Sequence, residues 1–232
     1  MFETVKNAFK IKDIRHRIIF TFLMLIVIRI GSQLPIPGVD QNVFAQWFAN
    51  QNSDAFSFFD AVTGGSFLQM SVFALNITPY ITSSIIMQLL TIAIPKLEEI
   101  QRDGEDGRKK IVEITRYLTI ALALIESIAM AVGFGKNGYL TKFDAMNVIM
   151  VVVTLTAGSA VLMWIGERIT EKGVGNGISI VLAINIISRV PSDFASLFEQ
   201  FVAGKTIAKE VLAIVVILAV ILVTVVFVVL LQ

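Results

Sequence analysis

The run Val211–Leu231 carries no charge, no proline and nothing more polar than Thr224. A helix of about 20 residues rises about 30 Å, the thickness of a bilayer's hydrocarbon core, so this stretch crosses a membrane. It is not alone. Apolar runs recur at Ile18–Leu34, Phe67–Ile94, Tyr117–Phe134, Ala145–Ile165 and Ile178–Val190. Only 16% of the 232 residues are charged, against roughly a quarter in a soluble domain. Lipid offers the backbone no hydrogen-bond partners, and the chain reads as an all-α polytopic membrane protein. The run 178–190 rises only about 20 Å as a helix, so it must draw length from its flanks or be shielded by protein.

Charge orients the spans. Lys6, Lys10, Lys12, Arg15 and Arg17 precede the first, and Lys96, Arg102, Arg108, Lys109 and Lys110 follow the second. With Arg168 and Lys172 after the fourth, one side of the membrane collects twelve basic residues and the other five. The positive-inside rule puts the N-terminus in the cytoplasm. Residues 1–17 read as a basic amphipathic helix on the membrane surface, with Phe2, Val5 and Phe9 on one face. Residues 18–190 hold five spans, 191–209 an external loop and 210–232 a sixth span. The leader is no signal peptide, because its charges run to Arg17 and no small-residue cleavage site closes the apolar run.

Reactive groups are scarce. There is no cysteine, and the one histidine, His16, lies in the leader. Disulfides, thiolate metal sites and a cysteine nucleophile are excluded, and neither a histidine metal centre nor a nucleophile with its base can be assembled. Gly173-Val174-Gly175-Asn176-Gly177 has the glycines of a phosphate loop without the Lys-Ser/Thr that should follow. Glu126 lies mid-span with no buried His, Lys or Asp to relay protons. No enzyme activity and no cofactor are expected.

What remains is the stretch Phe56–Pro95, where Asn76, Thr78, Pro79, Thr82, Ser83, Ser84 and Gln88 interrupt an apolar run. Such a segment faces protein or a water-filled cavity rather than lipid. Ile81 and Ile85 lie four apart, as do Asn76–Tyr80 and Ser84–Gln88, and each pair shares a helix face. Ile178 and Leu182 repeat the spacing after Gly-Asn-Gly. Aliphatic pairs at that spacing serve either ordinary packing or a hydrophobic constriction that gates by dewetting, and periodicity leaves both open. The segment from Asp54 to Phe67, with Phe56, Phe59 and Val62 on one stripe and Gly64-Gly65 behind it, is equally open. It is either an interfacial helix or a short movable helix hinged at the glycines.

Four segments in order resemble the SecY family of protein-conducting channels: QLPIPGVD (33–40), SFFDAVTGGSFLQMSVFALNITPYITSSIIMQLL (57–90), DGRKKIVEITRYLTIALALIES (106–127) and WIGERITEKGVGNGISIVL (164–182). The form is like that of Gram-positive bacteria. The resemblance implies the N-terminal five-span half of the family's ten-span inverted-repeat fold plus a sixth transmembrane helix. It places Ile81, Ile85, Ile178 and Leu182 in a pore ring. Residues 54–66 become a plug, including Asp54, Phe56, Phe59, Asp60, Val62, Gly64 and Gly65. Ser84, Gln88 and Glu126 fall at a lateral gate. The function implied is the central pore subunit of a translocon in the bacterial plasma membrane. It would conduct unfolded secretory chains and release hydrophobic segments sideways into lipid. Implied partners are SecE, SecG, the SecA ATPase, the ribosome, signal peptides and nascent chains, the lipid bilayer, and the C-terminal half or a second copy, without which no sealed channel forms. No nucleic-acid binding is expected from this half. A small-solute secondary transporter and a non-conducting scaffold subunit are the alternatives.

Overall fold

The apolar runs fold as helices, and so does much of the polar sequence between them. The computed structural model describes residues 11–50, 54–201 and 207–231. In chain order the helices are α1 (Lys12–Gly31), α2 (Gln41–Asn50), α3 (Asp54–Thr63), α4 (Thr78–Ala93), α5 (Pro95–Arg102), α6 (Glu105–Lys136), α7 (Ala145–Lys172), α8 (Gly177–Phe201) and α9 (Ile207–Leu231). They belong to two units, Met1–Ile187 and Ser188–Gln232.

The first unit is built on α6 against α7. Every fourth residue of α6 from Thr115 is small and buried: Thr115, Thr119, Ala123, Ser127 and Ala131, with Gly135 closing the stripe. At 3.6 residues per turn these share one face, and small side chains let two membrane helices approach closely. The hydroxyls of Thr115, Thr119 and Ser127 donate to carbonyls one turn back. Thr156 of α7 then donates to Ser127 at 3.1 Å. Gly158 takes the approach further, because a Cβ there would lie 2.0 Å from the Val72 carbonyl oxygen.

Two apolar clusters flank this contact. One gathers Phe44, Phe67, Met70, Phe134, Tyr139 and Leu155, with Phe44 edge-on to Phe67, Phe134 and Tyr139 at centroid distances of 5.2–5.8 Å. The other joins Ile28, Phe73, Ile77, Leu162, Ile165, Ile169 and Val181. At the end of the unit carrying the first cluster, loops knit through their backbones. Ile36 N–H donates to Met70 and Val72 N–H to Leu34, while Asp40 N–H donates to Tyr139 and Thr141 N–H to Gly38. At the other end, Arg17 donates to the Gly173 carbonyl and Thr21 Oγ1 accepts from Val174 N–H. The Asn176 carboxamide oxygen caps α8 by accepting from Ile178 and Ser179 N–H.

Several expectations need correction. The run Phe67–Ile94 is not one helix: residues 64–77 wind through turns, and α4 begins only at Thr78. Met70 (φ 47°) and Asn76 (φ 54°) take left-handed backbone that no α-helix accepts. The hydrophilic loop after it is two helices. Ile94 is extended, Pro95 starts α5, and α4 and α5 meet at 103°. Gly104 (φ 75°) turns the chain into α6, whose acidic first turn, Glu105 and Asp106, suits a helix N-terminus. The run Ala145–Ile165 lengthens, because α7 continues to Lys172.

The external loop expected at 191–209 is helical as far as Phe201, with Pro191 inside α8. There Arg189 pairs with Asp193 one turn on, and Ser192 Oγ donates to the Arg189 carbonyl. The sixth span begins at Ile207 rather than 210, and its Thr224 hydroxyl is satisfied by the Val220 carbonyl at 2.8 Å. The amphipathic leader lies outside the described residues up to Lys10, and Lys12–Arg17 are the start of α1 itself.

Among the described residues, Glu105–Lys136, Ala145–Lys172 and Gly177–Ser196 are each long and apolar enough to cross a bilayer, and α4 with α5 would be a fourth if the bent pair is one span. The short run at 178 thus gains its length from its C-terminal flank. Arg15, Arg17 and Arg29 interrupt the apolar character of α1, while α9 is apolar throughout Val211–Leu231 apart from Thr224. The chain is a multi-pass membrane protein.

Candidate functional site: a cavity and its seat

The polar face of α4 is one wall of a cavity of about 540 Å³. Tyr80, Ile81, Ser84, Ile85 and Gln88 recur every three or four residues and therefore line it together. Ile178 and Ser179 enter from the first turn of α8, Arg116 from α6, and Glu167, Thr170 and Glu171 from α7. Aliphatic side chains thus meet a charged wall. Ile85 is 52% exposed, which its place on an open cavity explains.

Of the four ring positions, Ile81, Ile85 and Ile178 reach the cavity. Leu182, one turn further along α8, packs with Ile81 and Ile178 against the second apolar cluster. Of the gate positions, Ser84 and Gln88 line the cavity and Glu126 does not. Ten residues of helix, about 15 Å, separate Glu126 from Arg116, the α6 side chain that does.

Sequence reasoning missed the charged wall. Arg116 Nε donates to Glu167 Oε1 at 2.8 Å, with the Glu167 side chain 15% and the Arg116 side chain 44% exposed. The sequence offered little signal, because both residues sit among other charges, Glu113 one turn before Arg116 and Arg168 and Glu171 in the turn after Glu167. Water screens part of this pair, so its coupling is expected at about 1 kcal/mol. A double-mutant cycle on Arg116→Ala and Glu167→Ala, read by thermal unfolding in detergent, should return that value. A coupling near zero would mean that the pair does not hold α6 to α7.

The 54–66 segment supplies no residue to the cavity lining. It forms α3, which ends at Gly64 (φ 69°) and Gly65 (φ 84°). Phe56 stacks on Phe67 at 6.4 Å, and Phe59 meets it edge-on at 5.1 Å. Phe58 points away and is 73% exposed. Asp60 is fully buried, and its Oδ1 accepts from Leu68 N–H at 2.8 Å, holding the turn that follows the glycines. Gly64 lies against α8, where a Cβ would meet the Asn185 carbonyl oxygen at 2.6 Å. Val62, half-buried, offers its carbonyl to Asn76 Nδ2 at 3.2 Å.

Asn76 in turn accepts from Asn185 Nδ2 at 2.9 Å, and its own carbonyl accepts from Ser159 Oγ at 3.2 Å. Asn185 and Ser159 carry no signal in the sequence. A single polar residue on an apolar helix gains meaning only when its partner, here 109 residues away, is known.

Comparison with known proteins agrees with this architecture. The SecY family model matches residues 71–232. Protein translocase subunit SecY of Bacillus subtilis is 42% identical over 229 residues, covering 94% of this chain and 52% of that protein. The subunit of Halalkalibacterium halodurans is 45% identical over 195 residues, covering 83% and 45%. The chain therefore spans about half the length of the curated relatives it matches. Among solved structures, Sec61 in the canine ribosome–channel complex from the endoplasmic reticulum superposes with a TM-score of 0.55 at 20% identity, covering 82% of this chain and 39% of that one. A structure described as a protein conducting channel gives the same TM-score and identity. The fold is that of these channels, and the chain belongs to the SecY family.

Proposed function

We propose that this chain supplies one half of a protein-conducting channel, with the cavity as its vestibule and Ile81, Ile85, Ile178 and Leu182 as its share of the pore ring. The observation that carries the reading is the convergence of Ile81 and Ile85 with Ile178, from helices far apart in sequence, in one partly polar cavity. Aliphatic side chains facing one another exclude water and ions, yet they deform around an extended peptide without holding it. Ser84 and Gln88, with Glu126 beyond the cavity, would line a sideways exit. There a sufficiently hydrophobic segment partitions into lipid. The helix α3, hinged at Gly64-Gly65, is the plug.

The other half of the ring and the opposite gate wall come from the remainder of a full-length relative or from a second copy. SecE and SecG are the membrane partners in this reading. SecA or the ribosome supplies the driving force, and signal peptides and nascent secretory chains are the substrates. The protein lies in the bacterial plasma membrane with its N-terminus in the cytoplasm, as the basic loops require.

The test is a photo-crosslinker at Ile85 in the assembled channel. A stalled secretory chain should crosslink to it, and a mutant signal sequence should abolish the adduct. No adduct in either case removes the reading. In the same complex Ile81→Asp should wet the constriction and give a resting ion leak. A solute transporter would only lose uptake.

A further inference from the structure

We propose that Asn76 and Asn185 form a polar latch that positions α3, resting on the reading of α3 as the plug. A helix leaves its last four carbonyls without intrahelical partners. In α3 the Asp60, Ala61 and Thr63 carbonyls are met by the N–H groups of Gly65, Gly64 and Ser66. The Val62 carbonyl is met instead by the Asn76 side chain, at 3.2 Å. One end of the plug is thus completed by a residue outside it.

Asn76 is held for this task on three sides. Its left-handed backbone (φ 54°) turns the side chain out of the α4 axis, a conformation that asparagine tolerates better than most residues. Its carbonyl takes the Ser159 hydroxyl of α7, and its Oδ1 takes the Asn185 amide of α8. Asn76 is 1% and Asn185 3% exposed, so water cannot replace either bond while the structure is closed. When α3 leaves its seat, the Val62 carbonyl and an Asn76 donor lose each other together. The latch therefore acts on the seated state alone and biases the resting channel towards closure. Gly64, pressed against the Asn185 carbonyl, brings the plug within reach of the same turn of α8.

The chain has no cysteine, so Ser66→Cys adds one buried thiol at the hinge. Its alkylation by a small maleimide, in the complete membrane complex containing this chain, reports unseating. Asn185→Ala should raise that rate about 5–10-fold, the range of a lost buried hydrogen bond. Asn76→Gly keeps the left-handed backbone and should do the same. The double variant should add nothing further, because both substitutions break one latch. Thr156→Ala removes an α7 bond, to Ser127 of α6, that touches neither α3 nor Asn76, and controls for general loosening. Equal acceleration by Thr156→Ala, or fully additive effects of the two asparagine variants, would overturn the latch. An unchanged rate in Asn185→Ala overturns it too. A stalled secretory chain should also raise the rate in the unmodified latch. If it does so while Asn185→Ala does not, the plug reading stands and the latch falls; if it does not, both fall.

Discussion

Gly158→Val should abolish stable folding of the first unit. The substituted Cβ would sit 2.0 Å from the Val72 carbonyl oxygen and 2.9 Å from its carbon, which is backbone that cannot rotate away. Val72 is itself pinned, because its N–H donates to Leu34 at 2.9 Å. Relief therefore requires α7 to withdraw from the turns of residues 64–77, opening both apolar clusters. Overpacking a core costs about 1–3 kcal/mol where side chains can yield; against fixed backbone the upper end or more is expected. Gly133→Ala on α6 is the control, since a Cβ there meets nothing within 4 Å. It should be neutral or stabilise by about 0.5–1 kcal/mol through helix propensity alone. Melting of the two variants by size-exclusion thermostability in detergent separates them. Indistinguishable melting would show that α7 does not pack on Val72 as described.

Gly64→Ala should unseat α3. Two effects combine. A left-handed backbone (φ 69°) costs a non-glycine residue about 1–2 kcal/mol, and the new Cβ would lie 2.6 Å from the Asn185 carbonyl oxygen and 3.0 Å from its carbon. Gly138→Ala isolates the first effect, because Gly138 has φ 78° with nothing within 4 Å of a Cβ. It should lower stability by about 1–2 kcal/mol and, on the proposed plug reading, leave the complete membrane complex closed to ions. Gly64→Ala should lower it further and give that complex a standing ion leak in planar bilayers, with a Ser66→Cys thiol alkylated more than about tenfold faster. That factor corresponds to about 1.4 kcal/mol against the seated state. A Gly64→Ala channel as tight as Gly138→Ala would show that the end of α3 does not rest on α8.

Hydropathy made α6 and α7 legible, because their apolar runs are long. It failed at Phe67–Ile94 for a physical reason. Phe67, Met70, Phe73 and Leu75 are as apolar as any helix, and hydropathy counts side chains rather than backbone angles. The left-handed Met70 and Asn76 are stabilised by partners elsewhere, Ile36 N–H on the Met70 carbonyl and Asn185 on the Asn76 side chain. Pro191 misled in the opposite direction. The Arg189–Asp193 spacing of four was a helix signal in plain view, outweighed by a proline that α8 accommodates.

The site divides the same way. Spacing alone gave each i, i+4 pair a face, and the family resemblance gave those faces roles. The meeting of Ile81 with Ile178, the Arg116–Glu167 wall and the exclusion of Glu126 belong to the packing of whole helices. No local pattern encodes them.

The contact between Gly64 and Asn185 also has a meaning in time. Gly64, at the end of α3, is made 121 residues before the α8 turn on which it rests. At about 5–20 residues per second of synthesis, α3 waits about 6–24 s for its seat. During that interval Asn76 can meet the Val62 carbonyl only without its Asn185 partner, and contacts within the earlier chain, such as Trp47 and Phe67 on Phe56, hold the segment. The seating of α3 is therefore a late event of biogenesis, set by the arrival of α8 rather than by the folding of α3.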